Sequence, residues 1–585
     1  MQAAAVPSTQ RHASEGSASV YTEVSHRLSA YPDQMNDLRG LTALIIEPHT
    51  GMRASLHNML GLCGLTKIEH AVSSGTAIRH LQNKTFDLIL CEYDLGDGQD
   101  GQQLLEDLRH NKILPLTTMF FMVTAERGYE KVVGAAELAP TDYILKPFTS
   151  DALLLRINRA IDKRSVFAPL HRLMGRAEMA EALAVCSEGE AAQGAEKRYA
   201  LDFKRTRAEL HLSLGEAHLA EPIYAEIVAL RPIAWARLGL AKTFYLQDRF
   251  AEAETLLTAL VAENGKFMDA YDWLAKAHQA NGALQSAKTV LADAVAISPH
   301  AVRRLRTLGD VALEIGDVAM AEKAFQQVVS KGRYSEFRDP EDHVRLITTL
   351  VRKGDTTQAA TMIRDLEKSL SSLPKTKACH AISSALLFEQ TGDAPRAIEQ
   401  LGIAVEACRE NTGLSTAMKM GLAKSCLQHQ FDAGATEVML DVMNNAANSK
   451  AMAQAMRLFE QAGRKDLAEA TARESRRVVV DLVSAGAEKA RQGDFAGAVT
   501  LMMEAVKKLP DNPQVVFNAA VAVLKYLENL GWNNRMGDQA RALIDTARRL
   551  DPSNPRLSSL SGLHQNILKK YNVVGGVVAQ PVRTG

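Results

Sequence analysis

The sequence predicts an α/β domain with a five-stranded parallel sheet, followed by an all-α array of helix pairs. Three observations support this fold class. Short apolar runs alternate with helical periodicity between residues 41 and 164, short Gly- and Ala-containing segments recur from residue 175 onward, and the length is 585 residues. At roughly 150 residues per domain, this length predicts several folded units or one domain joined to a repeat array.

Five apolar runs mark the predicted strands: Leu41 to Ile46, Ile68 to Val72, Phe86 to Cys91, Met119 to Val123 and Tyr143 to Leu145. Stretches with helical periodicity lie between them. Because uninterrupted apolar strands need cover on both faces, these runs indicate a parallel sheet between two layers of helices. Such sheets carry their sites beyond the carboxyl ends of the strands.

Polar and charged side chains follow four of these strand ends and make them the place to look for a site. They are Glu47 with Pro48 after the first strand, Glu92 after the third, Thr124 after the fourth, and Lys146 with Pro147 after the fifth.

This set resembles the receiver domain of bacterial response regulators over about 125 residues. The resemblance implies a flavodoxin-like fold. It also implies that Thr124 is the switch hydroxyl, Tyr143 the aromatic residue that changes rotamer on activation, and Lys146 the lysine that pairs with the phosphoryl group. A cis peptide bond before Pro147 belongs to the same pattern.

Two positions depart from the family pattern. The acidic pair is Glu47-Pro48, and Glu92 stands where the family has the phosphorylated aspartate. Mg²⁺ is held by oxygen ligands at about 2.1 Å, and Pro48 supplies no carboxylate. Glu92 extends its carboxylate by about 1.5 Å into the space of a phosphoryl group, where it can form a permanent ion pair with Lys146. These features favour a pseudo-receiver.

The alternative is that another acid in the following loop accepts the phosphoryl group. Asp94 is the first such residue, with Asp97 and Asp100 further along. Against Asp94, a shift of two residues would carry the nucleophile from the strand end onto the loop.

From residue 166 the sequence repeats itself. Segments of the form Gly-x-x-x-x-Ala end at Ala180, Ala220, Ala287, Ala321, Ala359, Ala397 and Ala498, with weaker copies at Ala253, Ala435, Ala468 and Ala540. The spacing centres on the period of about 34 residues that is typical of tetratricopeptide repeats. The chain resembles that family strongly at 201–333 and 482–555, and by period alone between them. The resemblance implies a superhelical solenoid of about ten helix pairs whose concave face binds a peptide or a partner helix.

Candidate residues for that groove lie on three first helices: Trp235 and Lys242, Trp273 and Lys276, Arg303 and Arg306. A basic groove suits an acidic or C-terminal carboxylate ligand. The alternative is that the tryptophans fill the core between helices and the basic residues form a solvated face.

The predicted domain boundaries follow from these patterns. We expect the receiver-like domain at 40–165 and the repeat array at 166–572. Residues 1–39 and 573–585 lack apolar periodicity, so we predict a disordered N-terminal tail and a flexible C-terminal tail.

Composition narrows the function classes. The 68 basic and 68 acidic side chains balance, so no global field draws the chain to nucleic acid or membrane. No apolar stretch approaches the roughly 20 residues that span a bilayer, and no signal peptide is recognisable. Six scattered cysteines fit a reducing cytoplasm. No catalytic motif and no metal-ligand spacing among the 16 histidines stands out, so we expect no enzyme, no metal site, and Mg²⁺ only if the receiver pocket is active.

The leading hypothesis is a cytoplasmic signal-transduction adaptor of bacterial two-component, or phosphorelay, type. A receiver or pseudo-receiver would be coupled to a tetratricopeptide scaffold that binds proteins, among them a histidine kinase or another response regulator, and a homodimer is compatible with this hypothesis. The alternatives are a structural scaffold whose receiver fold only dimerises or docks, and a true phosphoaccepting response regulator.

Overall fold

The computed structural model describes residues 38–578, except 97–99, 126–139, 176–177, 300, 334–337, 410–412, 447–448, 552–553, 572 and 575–576. The described residues divide into two compact units. The first contains residues 38–95, 114–125 and 140–167, and the second contains residues 96–113 and those from 168 onward.

The first unit is built on a five-stranded parallel sheet. Its strands are β1 (Thr42–Ile46), β2 (Lys67–Ala71), β3 (Leu88–Glu92), β4 (Met119–Thr124) and β5 (Asp142–Leu145), in the order β2-β1-β3-β4-β5. All neighbours pair in parallel. The predicted strands are confirmed to within two residues at each end. Residues of β3 and β4 are buried throughout, as uninterrupted apolar strands require.

The helices of this unit are α1 (Thr50–Leu62), α2 (Ser74–Asn83) and the first part of α4 (Ser150–Gly175). Leu56 and Leu60 of α1 pack with Leu153 and Ile157 of α4 in one apolar core, together with Ile45 of β1 and other strand residues. This core fixes the sheet, and with it the positions of the side chains at the strand ends.

The second unit is helical. It contains α3 (Gly101–His110) and then α5 (Met179–Glu190), α6 (Ala200–Ser213), α7 (Ala217–Leu230), α8 (Ala234–Leu246), α9 (Phe250–Glu263), α10 (Met268–Ala280), α11 (Leu284–Ile297), α12 (Val302–Glu314), α13 (Val318–Gly332), α14 (Pro340–Lys353), α15 (Thr356–Leu370), α16 (Thr376–Thr391), α17 (Ala394–Arg409), α18 (Thr416–Gln428), α19 (Asp432–Asn444), α20 (Ser449–Gln461), α21 (Lys465–Arg491), α22 (Phe495–Lys508), α23 (Pro513–Leu530), α24 (Asn534–Leu550) and α25 (Leu557–Lys570).

The recurring Gly-Asp pairs build the turns inside the helix pairs. Gly354 ends α14 in the left-handed region (φ +85°), which glycine adopts without a steric penalty. Asp355 then caps α15, because its Oδ1 accepts a hydrogen bond of 2.9 Å from the Gln358 backbone N–H. The same arrangement recurs at Gly493 (φ +79°) and Asp494, whose Oδ1 accepts a hydrogen bond of 2.8 Å from the Gly497 backbone N–H. The sequence repeat therefore reflects a recurring turn, in which a left-handed glycine is followed by an aspartate that caps the next helix.

The recurring alanines are buried where helices of the array pack together. Ten of them are at most 1% exposed: Ala220, Ala253, Ala287, Ala321, Ala359, Ala397, Ala435, Ala468, Ala498 and Ala540. Consecutive helices pack against each other along the described array, which forms a solenoid of tetratricopeptide type.

One segment departs from the expected helix pairs. Residues 465–491 form the single 27-residue helix α21, where the repeat predicts the end of one pair and the start of the next. The sequence has no glycine or proline from Lys465 to Ala485, so nothing ends the helix there.

A buried carboxylate links parts of the array that are distant in sequence. Glu341 of α14 is 1% exposed. Its Oε2 accepts a hydrogen bond of 2.7 Å from Ser415 Oγ, and its Oε1 accepts one of 2.7 Å from the Ser415 backbone N–H. Lys375 Nζ lies 3.3 Å from Oε1. Ser415 caps α18, so this contact bypasses the pair α16–α17.

Two very short strands follow α25. β6 (Val573–Val574) and β7 (Val577–Val578) pair antiparallel, with Val573 opposite Val578. A flexible tail is the prediction from the sequence for residues 573–585, and this pairing was not predicted. Paired β-branched valines on either side of Gly-Gly are a hairpin signal that accounts for it. Within the described residues, no helix is long and apolar enough to cross a bilayer.

Candidate functional site

The strand ends of the first unit bring Glu47, Glu92 and Lys146 together. Lys146 Nζ lies 3.0 Å from Glu47 Oε2 and also forms an ion pair with Glu92 Oε2. Glu47 is fully buried and Glu92 is 8% exposed. β1 and β3 are neighbours in register, Ile46 beside Cys91, so the two carboxylates emerge side by side. The expected ion pair between Glu92 and Lys146 is present, and Glu47 shares it.

The second oxygen of each carboxylate is bound by its own loop. Glu92 Oε1 accepts hydrogen bonds from the backbone N–H groups of Tyr93 (2.8 Å) and Asp94 (3.3 Å). Glu47 Oε1 accepts one from the backbone N–H of His49 (2.9 Å). Each carboxylate thus uses one oxygen for the backbone and the other for Lys146. The backbone and Lys146 together therefore provide a hydrogen-bond partner for every oxygen of the two carboxylates without a ligand.

Arg53 of α1 also belongs to this pocket, although the sequence analysis did not identify it. Its Nη1 donates to the carbonyl oxygens of Glu47 (2.7 Å) and Pro48 (3.0 Å). Its Nη2 donates to Thr50 Oγ1 (3.2 Å). Arg53 therefore holds the loop in which Pro48 replaces an acid. Its place in the first turn of the helix after β1 was the available signal.

The family's magnesium ion requires oxygen ligands in octahedral geometry. Glu47 and Glu92 supply carboxylates, but Pro48 supplies none, and the Lys146 ammonium already lies against both acids. These residues do not fit a resident Mg²⁺. Elsewhere in the described chain, no three metal-ligating side chains are grouped.

Two further receiver positions lie on the neighbouring strands β4 and β5. Thr124 ends β4 and is 1% exposed, and Tyr143 in β5 is partly buried. The Lys146-Pro147 peptide bond is cis, as the family pattern implies.

Two of the three alternative acceptors, Asp94 and Asp100, take no part in the triad. Asp94 is exposed. Asp100 is the N-cap of α3, where its Oδ1 accepts a hydrogen bond of 2.8 Å from the Gln103 backbone N–H. Asp97 lies outside the described residues.

A cleft of about 710 Å³ opens in the second unit along the first helices α6, α8 and α10. Trp235, Lys242 and Trp273 line it. The Arg205 guanidinium lies 4.9 Å from the ring centroid of Trp235, and Lys242 Nζ lies 5.3 Å from that of Trp273. Both tryptophans are only partly buried, so their rings contribute to the cleft as well as to the helix packing.

The other three groove candidates lie elsewhere. Lys276 is exposed, with its Nζ 4.3 Å from the ring centroid of Trp273, and lines a separate cleft of about 340 Å³ together with Arg303. Arg303 pairs with Glu106 of α3 (2.8 Å), and Arg306 pairs with Asp342 of α14 (2.7 Å). The expected basic groove is therefore interrupted, because carboxylates compensate both arginines.

Arg205 and Asp269 are among the lining residues of the large cleft that were not predicted from the sequence. Asp269 follows Trp235 by one repeat period of about 34 residues. Aligning the first helices by that period would have identified it.

Comparisons with known proteins agree with this architecture. A model of the response regulator receiver domain matches residues 43–158, and a tetratricopeptide repeat model matches residues 205–269. The chemotaxis protein CheY-3 of Vibrio cholerae serotype O1 is 26% identical over 125 residues, which are 21% of this chain and 95% of that protein. The chemotaxis protein CheY of Pseudomonas aeruginosa is 28% identical over 120 residues, 20% of this chain and 95% of its own.

Two solved repeat structures are also similar. The C-terminal part of a TPR repeat-containing protein from Cytophaga hutchinsonii is 13% identical with a TM-score of 0.33, covering 41% of this chain and 95% of that one. A tetratricopeptide repeat protein from Parabacteroides merdae has the same identity and TM-score, and the match covers 47% of this chain and 98% of that one. The sheet order, the helix pairs and the two family models together show that this chain contains a response regulator receiver domain followed by tetratricopeptide repeats.

Proposed function

We propose that this protein is a signalling adaptor of two-component type whose receiver domain is a pseudo-receiver, locked by the Glu47–Lys146–Glu92 triad. A receiver domain joined to repeats of a protein-binding family fits a signalling adaptor. The observation that supports the locked state is the position of Lys146, whose ammonium lies between two buried carboxylates.

The triad opposes phosphorylation in two ways. Phosphoryl transfer to a carboxylate needs a divalent cation to neutralise the incoming charge in line with the nucleophile. Lys146 occupies the position between the acids instead, and Pro48 cannot serve as a ligand. In addition, both oxygens of Glu92 are engaged, one by Lys146 and one by the loop backbone. A phosphoryl group would have to break these contacts before it could react.

The repeat array supplies the output by binding rather than by catalysis. Proteins are the proposed partners, among them a histidine kinase or another response regulator, and the proposed location is the cytoplasm. In this proposal the receiver is recognised as a fixed shape. A pulldown with the full chain, followed by identification of the bound proteins, names the partner.

Incubation of the full chain with acetyl phosphate and Mg²⁺, followed by intact mass spectrometry, tests the locked state. We expect no added phosphoryl group. A phosphoryl adduct that hydroxylamine removes would overturn the pseudo-receiver and support a true response regulator. The same reaction on Asp94→Asn then identifies the phosphorylated residue. If this variant forms no adduct, the acceptor is Asp94, and if it still forms the adduct, the acceptor is Glu92.

A further inference from the structure

The cleft between α6, α8 and α10 combines apolar walls with Lys242, a cation that has no ion-pair partner among the described residues. Trp235, Tyr224, Leu238, Phe267 and Trp273 give it a largely apolar lining. At about 710 Å³ it lies within the range of roughly 300–1,000 Å³ that is typical of ligand sites. Aromatic side chains of this kind provide much of the binding energy at protein interfaces.

The charged groups of the cleft are not equivalent. Arg205 is paired with Glu209 at 2.7 Å, one helical turn along α6. Lys242, in contrast, makes no ion pair and no hydrogen bond among the described residues. Burial lowers the pKa of its ammonium group, and Asp269 and Glu209 oppose this effect from a distance. A half-buried ammonium that contacts an aromatic ring but pairs with no carboxylate favours an anionic ligand group.

Asp269 shows that the protein itself only partly compensates this charge. Burial raises the pKa of its carboxyl group, and Lys242 opposes the shift. The two groups thus influence each other across the cleft without forming an ion pair. A carboxylate brought in by a ligand can come closer to Lys242 than Asp269 does.

We propose that this cleft binds an extended segment of a partner protein through one Asp or Glu side chain that pairs with Lys242 Nζ, while a neighbouring aromatic or long apolar side chain packs between Trp235 and Trp273. This rests on the proposed role of the array as a partner-binding scaffold. Arg303 and Arg306 are already paired with carboxylates, so the segment needs one acidic anchor rather than an acidic run.

The Asp or Glu that pairs with Lys242 lies in the interior of the bound segment and not at its C-terminal end. Lys242 is on α8, the middle one of the three first helices, and the cleft continues on both sides of it. Arg205 and Leu212 of α6 line one side, and Met268 of α10 lines the other. A bound chain therefore continues past Lys242 in both directions, whereas a C-terminal carboxylate would leave half of the cleft empty.

The first experiment is a selection of random decapeptides, displayed between fixed flanks so that neither end is free, on the full-length chain. We expect enriched peptides to share one acidic position with an aromatic or long apolar residue within two positions of it. No enrichment, or enrichment without an acidic position, would overturn the proposal. A second library displays the same peptides with free C termini. If only this library yields binders whose affinity falls with Lys242→Met, the cleft binds a chain terminus and the internal anchor is overturned.

The second experiment titrates one enriched, fluorescently labelled peptide against matched variants. Lys242→Met should weaken binding about tenfold, the usual effect of losing a charge-assisted hydrogen bond, and Lys242→Arg should retain most of it. Lys276→Met is the control, because Lys276 also lies against Trp273 but outside this cleft. Asp269→Asn should strengthen binding, since it removes the competing carboxylate.

The outcomes separate this inference from the proposed function. Equal weakening by Lys242→Met and Lys276→Met, with both variants folded by circular dichroism, would place the peptide elsewhere and overturn the inference, while the array would remain a binding scaffold. A phosphoryl adduct on the receiver would overturn the pseudo-receiver and leave the peptide titrations unchanged.

Discussion

Gly309 of α12 lies directly against the ring of Phe325 in α13. A Cβ atom added to Gly309 would come within 2.6 Å of Phe325 Cε1 and Cζ, and Phe325 is fully buried. Only a glycine allows these helices to approach so closely. We expect Gly309→Ala to destabilise the array by about 1–3 kcal/mol, because overpacking outweighs the gain in helix propensity.

Gly402, inside α17, is the control for this prediction. A Cβ there meets no atom within 4 Å, so Gly402→Ala should stabilise by up to about 1 kcal/mol. Urea unfolding followed by circular dichroism measures both. Equal changes in the free energy of unfolding for the two variants would show that Phe325 moves aside at no cost in stability.

Lys146→Met should destabilise the receiver strongly. The substitution keeps an apolar stem but leaves Glu47 and Glu92 buried without their shared cation, and removing one partner of a buried ion pair costs about 3–5 kcal/mol. Millimolar Ca²⁺ should raise the unfolding midpoint of this variant, because two adjacent carboxylates then bind a cation, and should leave the wild type unchanged.

Lys84→Met serves as the matched control for Lys146→Met. Lys84 pairs with Glu69 on the surface, where its side chain is 48% exposed, so its loss should cost less than about 1 kcal/mol. A wild type that gains as much from Ca²⁺ as Lys146→Met would contradict the closed triad.

The receiver should regain phosphorylation only when both altered positions are restored. Glu92→Asp alone shortens the side chain but leaves Pro48 without a ligand, and Pro48→Asp alone leaves Glu92 against Lys146. We expect an adduct from acetyl phosphate in the double variant and little in either single one, because the two positions act as one site. Intact mass spectrometry compares the three, and a strong adduct in Glu92→Asp alone would show that Pro48 is not limiting.

The C-terminal end of the array should lose stability in acid through His564. Burial, with a smaller effect of Arg541, lowers the pKa of this imidazole to about 4. The unfolded chain, with a histidine pKa of about 6.5, then binds more protons than the folded one, so stability falls as the pH drops from about 6.5 toward 4. His564→Gln should flatten this dependence, measured by thermal unfolding across that range. His218→Gln, at an exposed position, should retain it.

The sequence predicts those features that depend on local patterns. The apolar runs place β1 to β5, and the Gly-Asp pairs place the turns, because both depend on residues adjacent in the chain. The ion pair of Glu92 with Lys146 was also predictable, because the resemblance to receiver domains places a phosphate-pairing lysine beside the acceptor position. The inclusion of Glu47 required the register of β1 beside β3.

The groove was less predictable. Whether a basic residue on a first helix stays uncompensated depends on carboxylates far along the chain, such as Asp342 for Arg306 and Glu106 for Arg303. The spacing within one helix carries no information about these pairs. The single helix α21 was not predicted either. The repeat period places a turn inside it, but no glycine or proline ends the helix at that point.

The buried contact between Glu341 and Ser415 bears on how the middle of the array unfolds. In a repeat protein, cooperativity arises from interfaces between adjacent repeats, so the chain behaves as a one-dimensional series of coupled units. A hydrogen-bonded carboxylate that bypasses the α16–α17 pair adds coupling between second neighbours. The segment from α14 to α18 should therefore open as one foldon, with similar amide exchange protection in all of its helices, rather than fray one repeat at a time.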